Sequence, residues 1–105
     1  MTTKVRRSSG NVFRDLGFPA EEAESLRLRA DLMVRIRRLI EGRKLTQAAA
    51  AKMLGVTQPR ISDLVRGKID LFSIDTLIDM LARAGIRVGL TIHPGRSRTR
   101  RRAAT

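Results

Sequence analysis

The sequence contains no cysteine, no tryptophan and no tyrosine, and only three phenylalanines among its 105 residues. Without cysteine the chain can form no disulfide framework, no thiolate zinc site and no cysteine nucleophile, as expected in a reducing compartment. The single histidine, His93, excludes sites that need several imidazoles. With so few aromatic residues, the hydrophobic core must be built from aliphatic side chains.

Other signatures of enzymes and membrane proteins are also missing. We find no nucleophile paired with a base, no paired carboxylates in a known motif and no glycine loop for phosphates. No apolar run approaches the ~20 residues needed to span a membrane, and the leading segment lacks the apolar stretch of a signal peptide. We therefore expect a cytoplasmic protein that is not an enzyme, with no cofactor, no metal and no membrane contact.

Acidic residues are scarce, since 22 basic residues face 10 acidic ones and leave a formal net charge of +12. Residues 1–10 and residues 94–105 carry basic side chains and no acidic ones. We predict that both are disordered, as a basic arm and an Arg-rich tail, around one folded domain at residues 11–93. The charge favours a polyanionic partner, with nucleic acid ahead of an acidic protein surface. The tail would add sequence-independent affinity for DNA, or serve solubility alone.

Start and stop signals divide the middle of the chain into helices. Ser, Thr or Pro stands at each start and Gly at each end, with amphipathic apolar spacing between them. We therefore predict an all-α domain of four to five helices. The four clearest helices lie within Pro19–Gly42, Thr46–Gly55, Thr57–Gly67 and Ser73–Gly85.

The apolar period changes after the last of these helices. Ile86, Val88, Leu90 and Ile92 alternate with polar residues or glycine, which predicts one short C-terminal β-strand. A lone strand leaves its backbone groups unpaired. It would pair with a second chain or with the stretch near Val12, which we expect to be extended, and the sequence leaves both options open.

The most informative stretch runs from Leu45 to Lys68. Two helices that cross steeply need a small residue at their contact and a sharp turn between them, which Ala51 and Gly55 supply. Gln58 opens the second helix on its polar side, and its amide suits the edge of a base. These features predict a helix-turn-helix.

The same motif resembles that of XRE-type, or lambda-repressor-like, regulators. This resemblance covers roughly residues 32–84. The matching positions are Thr46-Gln47, Ala51, Gly55 and Thr57-Gln58. A second resemblance, to antitoxins of the HigA type, rests on the lead-in NVFRDLGFP at residues 11–19 together with the terminal strand.

The resemblance implies which residues meet DNA. Gln47 would bind a phosphate, and Gln58 would bond adenine at N6 and N7. Asp63 would accept from cytosine N4 or, as we favour, pair with Arg60 or Arg66 at helical spacing. Pro59 departs from the polar residue that many relatives carry second in the recognition helix, and it would offer an apolar contact to a thymine methyl group. The remaining side chains would meet bases or phosphates. The full predicted set is Gln47, Thr57, Gln58, Pro59, Arg60, Ser62, Asp63, Arg66 and Lys68.

The function implied is that of a dimeric repressor on a palindromic operator of double-stranded DNA, associated with the nucleoid through that DNA. Its two recognition helices would lie about 34 Å apart. Within this class we favour the antitoxin of a type II toxin-antitoxin module, which represses its own operon and neutralises a small RNase-type toxin. The alternatives are a free-standing XRE-family regulator without a toxin and a module that binds only protein.

Overall fold

The computed structural model describes residues 11–94, which fold into five α-helices and one 3-10 turn. The prediction of an all-α, XRE-like domain is confirmed. The predicted basic arm and all but the first residue of the predicted Arg-rich tail lie outside the described residues. The helices are α1 (Val12–Asp15), α2 (Ala20–Gly42), α3 (Gln47–Leu54), α4 (Gln58–Val65) and α5 (Ile74–Arg83), and the 3-10 turn is Ile69–Leu71.

The long helix α2 begins and ends where the sequence predicts. It starts directly after Pro19, carries glutamates in its first turn and ends at Gly42. The left-handed backbone of the following turn falls on Lys44, with φ of 52°, and not on that glycine. None of the helices in the described part of the chain is long and apolar enough to cross a membrane.

The helix α1 was not predicted, because four residues are too few to show a helical period. Asn11 caps it, since the side-chain oxygen accepts a hydrogen bond of 3.0 Å from the Phe13 N–H. The Asn11 amide also donates to the carbonyl of Ala23 at 3.1 Å, which ties α1 to α2. The expectation of an extended stretch near Val12 is therefore wrong.

The predicted C-terminal strand is also not formed within residues 11–94, where residues 86–92 have no strand partner. A strand requires a ladder of backbone hydrogen bonds with a neighbouring strand. The stretch near Val12, one of its two expected partners, is the helix α1. Ile86 and Val88 nevertheless pack against the hydrophobic core. Pairing with a second chain stays a prediction.

The core lies between α2 and the three shorter helices α3, α4 and α5. It is aliphatic as predicted, apart from Phe72. Each large side chain fully removed from water contributes about 1.5–3 kcal/mol, so the core fixes which face of these four helices stays outside. Its buried residues are Met33, Ile36, Ile40, Ala50, Ala51, Leu54, Ile61, Leu64, Phe72, Leu77, Met80 and Leu81.

Candidate nucleic-acid interface

The turn between α3 and α4 follows the predicted helix-turn-helix pattern. The hydroxyl of Thr46 caps α3 by accepting from the Ala49 N–H at 3.1 Å. Gly55 ends the helix in the left-handed region, with φ of 71°, and Val56 N donates to the Ala51 carbonyl at 3.0 Å. Ala51 is buried as predicted, so the small side chain allows the two helices to approach.

A second reason for glycine at this turn comes from α5. A Cβ atom on Gly55 would lie 2.8 Å from Nε of Arg83, whose side chain lies over the turn. The same Nε donates to Asp79 at 3.2 Å. Any larger residue at this position must therefore adopt an unfavourable backbone and also displace Arg83.

The start of α4 is held by backbone atoms alone. The Thr57 carbonyl accepts from the N–H groups of Arg60 at 3.1 Å and Ile61 at 3.2 Å. The Thr57 side chain makes no cap hydrogen bond, and Pro59, the second helical residue, has no N–H to donate to it. The Thr57 side chain is exposed at the helix N-terminus, where its hydroxyl can donate to a phosphate.

The two sides of α4 differ in burial and polarity. Ile61 and Leu64 are fully buried, and each residue turns the helix by about 100°. The outward side of α4, turned away from the core, carries exposed or half-buried residues, most of them polar. These are Gln58, Pro59, Ser62, Asp63 and Arg66, which are five of the predicted DNA contacts.

Arg60 does not share this outward side. Its guanidinium carbon lies 4.5 Å from the ring centre of Phe72, and its terminal nitrogen donates to the Leu71 carbonyl at 3.0 Å. Leu71 is the last residue of the 3-10 turn, and Phe72 follows it on the way to α5. The sequence reasoning missed Phe72 as a partner, and the only signal was an isolated aromatic residue between two helices.

Asp63 forms the kind of local ion pair that was predicted, but with another partner. Its Oδ1 atom lies 3.8 Å from Nζ of Lys68, and not against Arg60 or Arg66 as expected. The chain turns back at Gly67, with φ of 76°, and Lys68 N donates to the Asp63 carbonyl at 3.1 Å. A long ion pair that is partly exposed adds little to stability, so Lys68 can still contact a phosphate.

The remaining predicted residues flank the outward side of α4. Gln47 is exposed at the first position of α3, where the N–H groups lack partners within the helix. Arg66 is exposed at the C-terminal cap of α4, and Lys68 is exposed two residues beyond it. Within residues 11–94, no cluster of three or more histidine, aspartate or glutamate side chains could hold a metal ion.

The capped helix pair, the glycine turn and the polar outward side of α4 together define a helix-turn-helix domain. A family model described as a helix-turn-helix domain matches residues 12–93. A solved structure described as an XRE family transcriptional regulator matches with a TM-score of 0.65 and 31% identity, covering 74% of this chain and 86% of that chain. No curated protein matches the chain significantly.

The chain therefore belongs to this helix-turn-helix family, in the class of DNA-binding transcriptional regulators. The predicted resemblance to XRE-type regulators is confirmed at this level.

Proposed function

We propose that this protein is a sequence-specific transcriptional repressor that inserts α4 into the major groove of its operator. The observation that carries the proposal is the division of α4, with Ile61 and Leu64 buried in the core and Gln58 exposed at the N-terminus of the helix. A recognition helix needs such a rigid inner side and a polar outer side whose N-terminal residues reach base edges.

The exposed side chains divide into two groups with different tasks. Gln58 and Ser62 stand one helical turn apart and read bases, and Pro59 offers an apolar contact to a thymine methyl group. The second group contacts phosphates, which fixes register and adds affinity without reading sequence. It comprises Gln47, Thr57, Arg66 and Lys68.

We assign Arg60 a positioning role in this function. The contacts with Phe72 and Leu71 occupy its guanidinium, so Arg60 holds α4 at its angle to the rest of the domain. The turn at Gly67 places Lys68 beside the end of α4, where its Nζ atom lies 3.8 Å from the Asp63 carboxylate.

The repressor acts as a homodimer on a palindromic operator. A two-fold axis presents two copies of α4 to half-sites about 34 Å apart, one turn of the double helix. Doubling the number of base contacts gives the specificity that two or three side chains of one copy cannot supply.

Within this class we propose that the protein is an antitoxin that represses its own operon and neutralises a small RNase-type toxin. The lead-in at residues 11–19 resembles the HigA type and adds a second surface outside the helix pair. Its Val12, Leu16 and Phe18 side chains are 58%, 68% and 37% exposed, which suits an apolar protein contact.

The test of DNA recognition is to select bound fragments from the genome that encodes the protein and to footprint its own promoter. Gln58→Ala and Ser62→Ala should together remove the footprint while the circular dichroism spectrum stays unchanged. Arg14→Ala, at an exposed position on α1, is the control and should leave the footprint intact. Retained operator affinity in the double variant would contradict the assignment of α4 as recognition helix.

The test of the antitoxin role is to purify the tagged protein with nuclease treatment and identify a stoichiometric partner encoded next to it. The partner expressed alone should arrest growth, and coexpression should restore it. Leu16→Asp should abolish this rescue while the promoter footprint remains. A protein recovered alone from cells that express its neighbouring genes would indicate a free-standing regulator.

A further inference from the structure

The turn between α2 and α3 contains a backbone conformation that its sequence disfavours. Among residues 11–94, Lys44 is the one non-glycine residue with a positive φ, of 52°. In this left-handed region the Cβ atom of an L-residue lies too close to the carbonyl oxygen that follows it. Asn, Asp and His enter the region more readily than other residues that have a side chain, and lysine is not among them. The turn is therefore strained at this position.

Hydrogen bonds on both sides hold Lys44 in this conformation. Its N–H donates to the Glu41 carbonyl at 3.0 Å, and Leu45 N donates to the Ile40 carbonyl at 3.0 Å. These two bonds form the Schellman motif, which ends a helix with one left-handed residue and most often uses glycine there. Ile40 belongs to the core and Leu45 packs against it, so the turn cannot relax without disturbing the core. The nearby glycine, Gly42, comes two residues too early and lies within α2.

The Lys44 side chain makes no contact in the free protein that would account for the strain. It is exposed, and the five ion pairs of the described range do not include it. Glu41 is the nearest acidic residue along the chain, and its carboxylate lies 3.8 Å from the Arg37 guanidinium instead. A glycine would end α2 with the same hydrogen bonds and without the strain. Backbone strain of this kind concentrates at functional sites.

Lys44 stands beside the proposed DNA interface. Three residues later the chain reaches Gln47, the first residue of α3 and one of the proposed phosphate contacts. Three residues span at most about 10–11 Å. Phosphates of one DNA strand follow one another about every 3.4 Å along the helix axis. Because lysine carries its charge on a flexible four-carbon stem, its ammonium group can reach a phosphate close to the one at Gln47.

We propose that Lys44 binds a phosphate of the DNA backbone beside the one that Gln47 contacts. The inference rests on the proposed function, because it needs the helix pair on DNA, and it extends the phosphate contacts to the turn before α3. The contact adds affinity without reading sequence and releases about one counterion. The strain lowers the stability of the free protein, whereas the phosphate contact forms only on DNA. Glycine at this position would give a more stable protein that binds DNA less tightly.

Two substitutions separate the strain from the charge. Lys44→Gly removes both, so it should raise the midpoint of thermal unfolding by a few degrees and weaken DNA binding. Lys44→Gln removes the charge and keeps the strain, so it should weaken binding equally and leave the midpoint near the wild-type value. A variant that is more stable than the wild type and yet binds less tightly does not owe its defect to unfolding.

Binding is measured by fluorescence anisotropy with the footprinted operator and with a random duplex at several salt concentrations. Both variants should lose about two- to fivefold in affinity on both duplexes, as expected for one exposed ion pair. The slope of log affinity against log salt should fall in magnitude by about one. Lys44→Arg restores the charge and should recover the wild-type slope.

Lys52→Gln is the matched control. It removes the same charge from an exposed position in the last turn of α3, at the opposite end of this helix from Gln47. It should keep the wild-type slope and affinity. Equal losses in Lys44→Gln and Lys52→Gln would show that the protein attracts DNA by net charge and not through a contact at Lys44.

Two further results would overturn the inference, namely a wild-type slope in Lys44→Gln and a Lys44→Gly protein whose midpoint does not exceed that of the wild type. If the wild type still protects its operator in these cases, the proposed function stands and only the assignment of Lys44 is wrong. A wild type that binds random DNA as tightly as every genomic fragment would instead contradict the sequence-specific function. In that case a slope reduced by about one in Lys44→Gln would still support the phosphate contact.

Discussion

The guanidinium group of Arg60 stacks on the ring of Phe72, with 4.5 Å between the guanidinium carbon and the ring centre. Phe72 is almost fully buried, and the Leu71 carbonyl beside it accepts a hydrogen bond from the same arginine at 3.0 Å. The contact joins the proposed recognition helix to the segment that leads into α5. These two contacts fix the position of α4 relative to the segment that follows the 3-10 turn.

Arg60→Ala should destabilise the fold in the absence of DNA. The loss of one cation–π contact and one hydrogen bond is expected to lower the free energy of unfolding by about 1–2 kcal/mol. Urea denaturation followed by circular dichroism measures this change. Arg60→Lys keeps the charge but not the planar fork, so it should recover only part of the stability.

The same pair of variants separates the positioning role from a direct phosphate contact. A phosphate contact predicts unchanged stability and near-complete recovery of DNA binding in Arg60→Lys. The positioning role would be contradicted if Arg60→Ala lost operator binding while its free energy of unfolding equalled the wild-type value. Arg60 would then be a DNA contact.

Gln58→Ala and Lys68→Ala should affect binding in different ways. Gln58→Ala should lower operator affinity by about 1–3 kcal/mol and leave binding to random DNA unchanged, because only a base contact is lost. Lys68→Ala should weaken both and reduce the slope of log affinity against log salt by about one. Fluorescence anisotropy with operator and random duplexes at several salt concentrations distinguishes them. Equal losses on both duplexes for Gln58→Ala would show that it contacts the backbone.

Gly55→Ala should destabilise the domain more than Gly67→Ala. Both glycines have positive φ, of 71° and 76°, so each substitution should cost about 1–2 kcal/mol of backbone energy. Only at Gly55 must a new Cβ also displace Arg83 from its ion pair with Asp79. We expect a further few tenths of a kcal/mol at that site.

The background variant Arg83→Ala is the control for this comparison. Without the arginine side chain, Gly55→Ala and Gly67→Ala should have equal effects on the midpoint of thermal unfolding. A difference that persists in this background would locate the additional cost elsewhere in the turn.

The sequence predicted those features that depend on neighbouring residues. Thr46 as a cap, Gly55 as a turn and the buried row of α4 follow from local backbone chemistry and a period of 3.6. Hydrophobic spacing therefore sufficed to find the outward side of α4 and most of the candidate site.

The sequence could not predict contacts that depend on distant segments. Arg60 lies 12 positions before Phe72, and nothing local in the chain shows that the 3-10 turn brings the ring beneath it. Asp63 pairs with Lys68 because the chain reverses at Gly67, whereas the prediction considered only partners at helical spacing, Arg60 and Arg66. The hydrogen bond from Asn11 to the Ala23 carbonyl joins α1 to α2, and such a contact between elements leaves no local signal in the sequence.

The arginines near the C-terminus should determine how strongly salt weakens DNA binding. Five of them fall within residues 96–102, a segment that carries no acidic residue. If each neutralises a phosphate, their replacement by glutamine should reduce the magnitude of the salt slope by up to about 4–5. Replacement keeps the chain length and so excludes an effect of truncation.

Because these contacts read no bases, the ratio of operator to random-DNA affinity should stay constant at each salt concentration. A slope equal to that of the wild type would leave the tail a role in solubility alone, and a changed ratio would mean that the tail reads sequence or DNA shape.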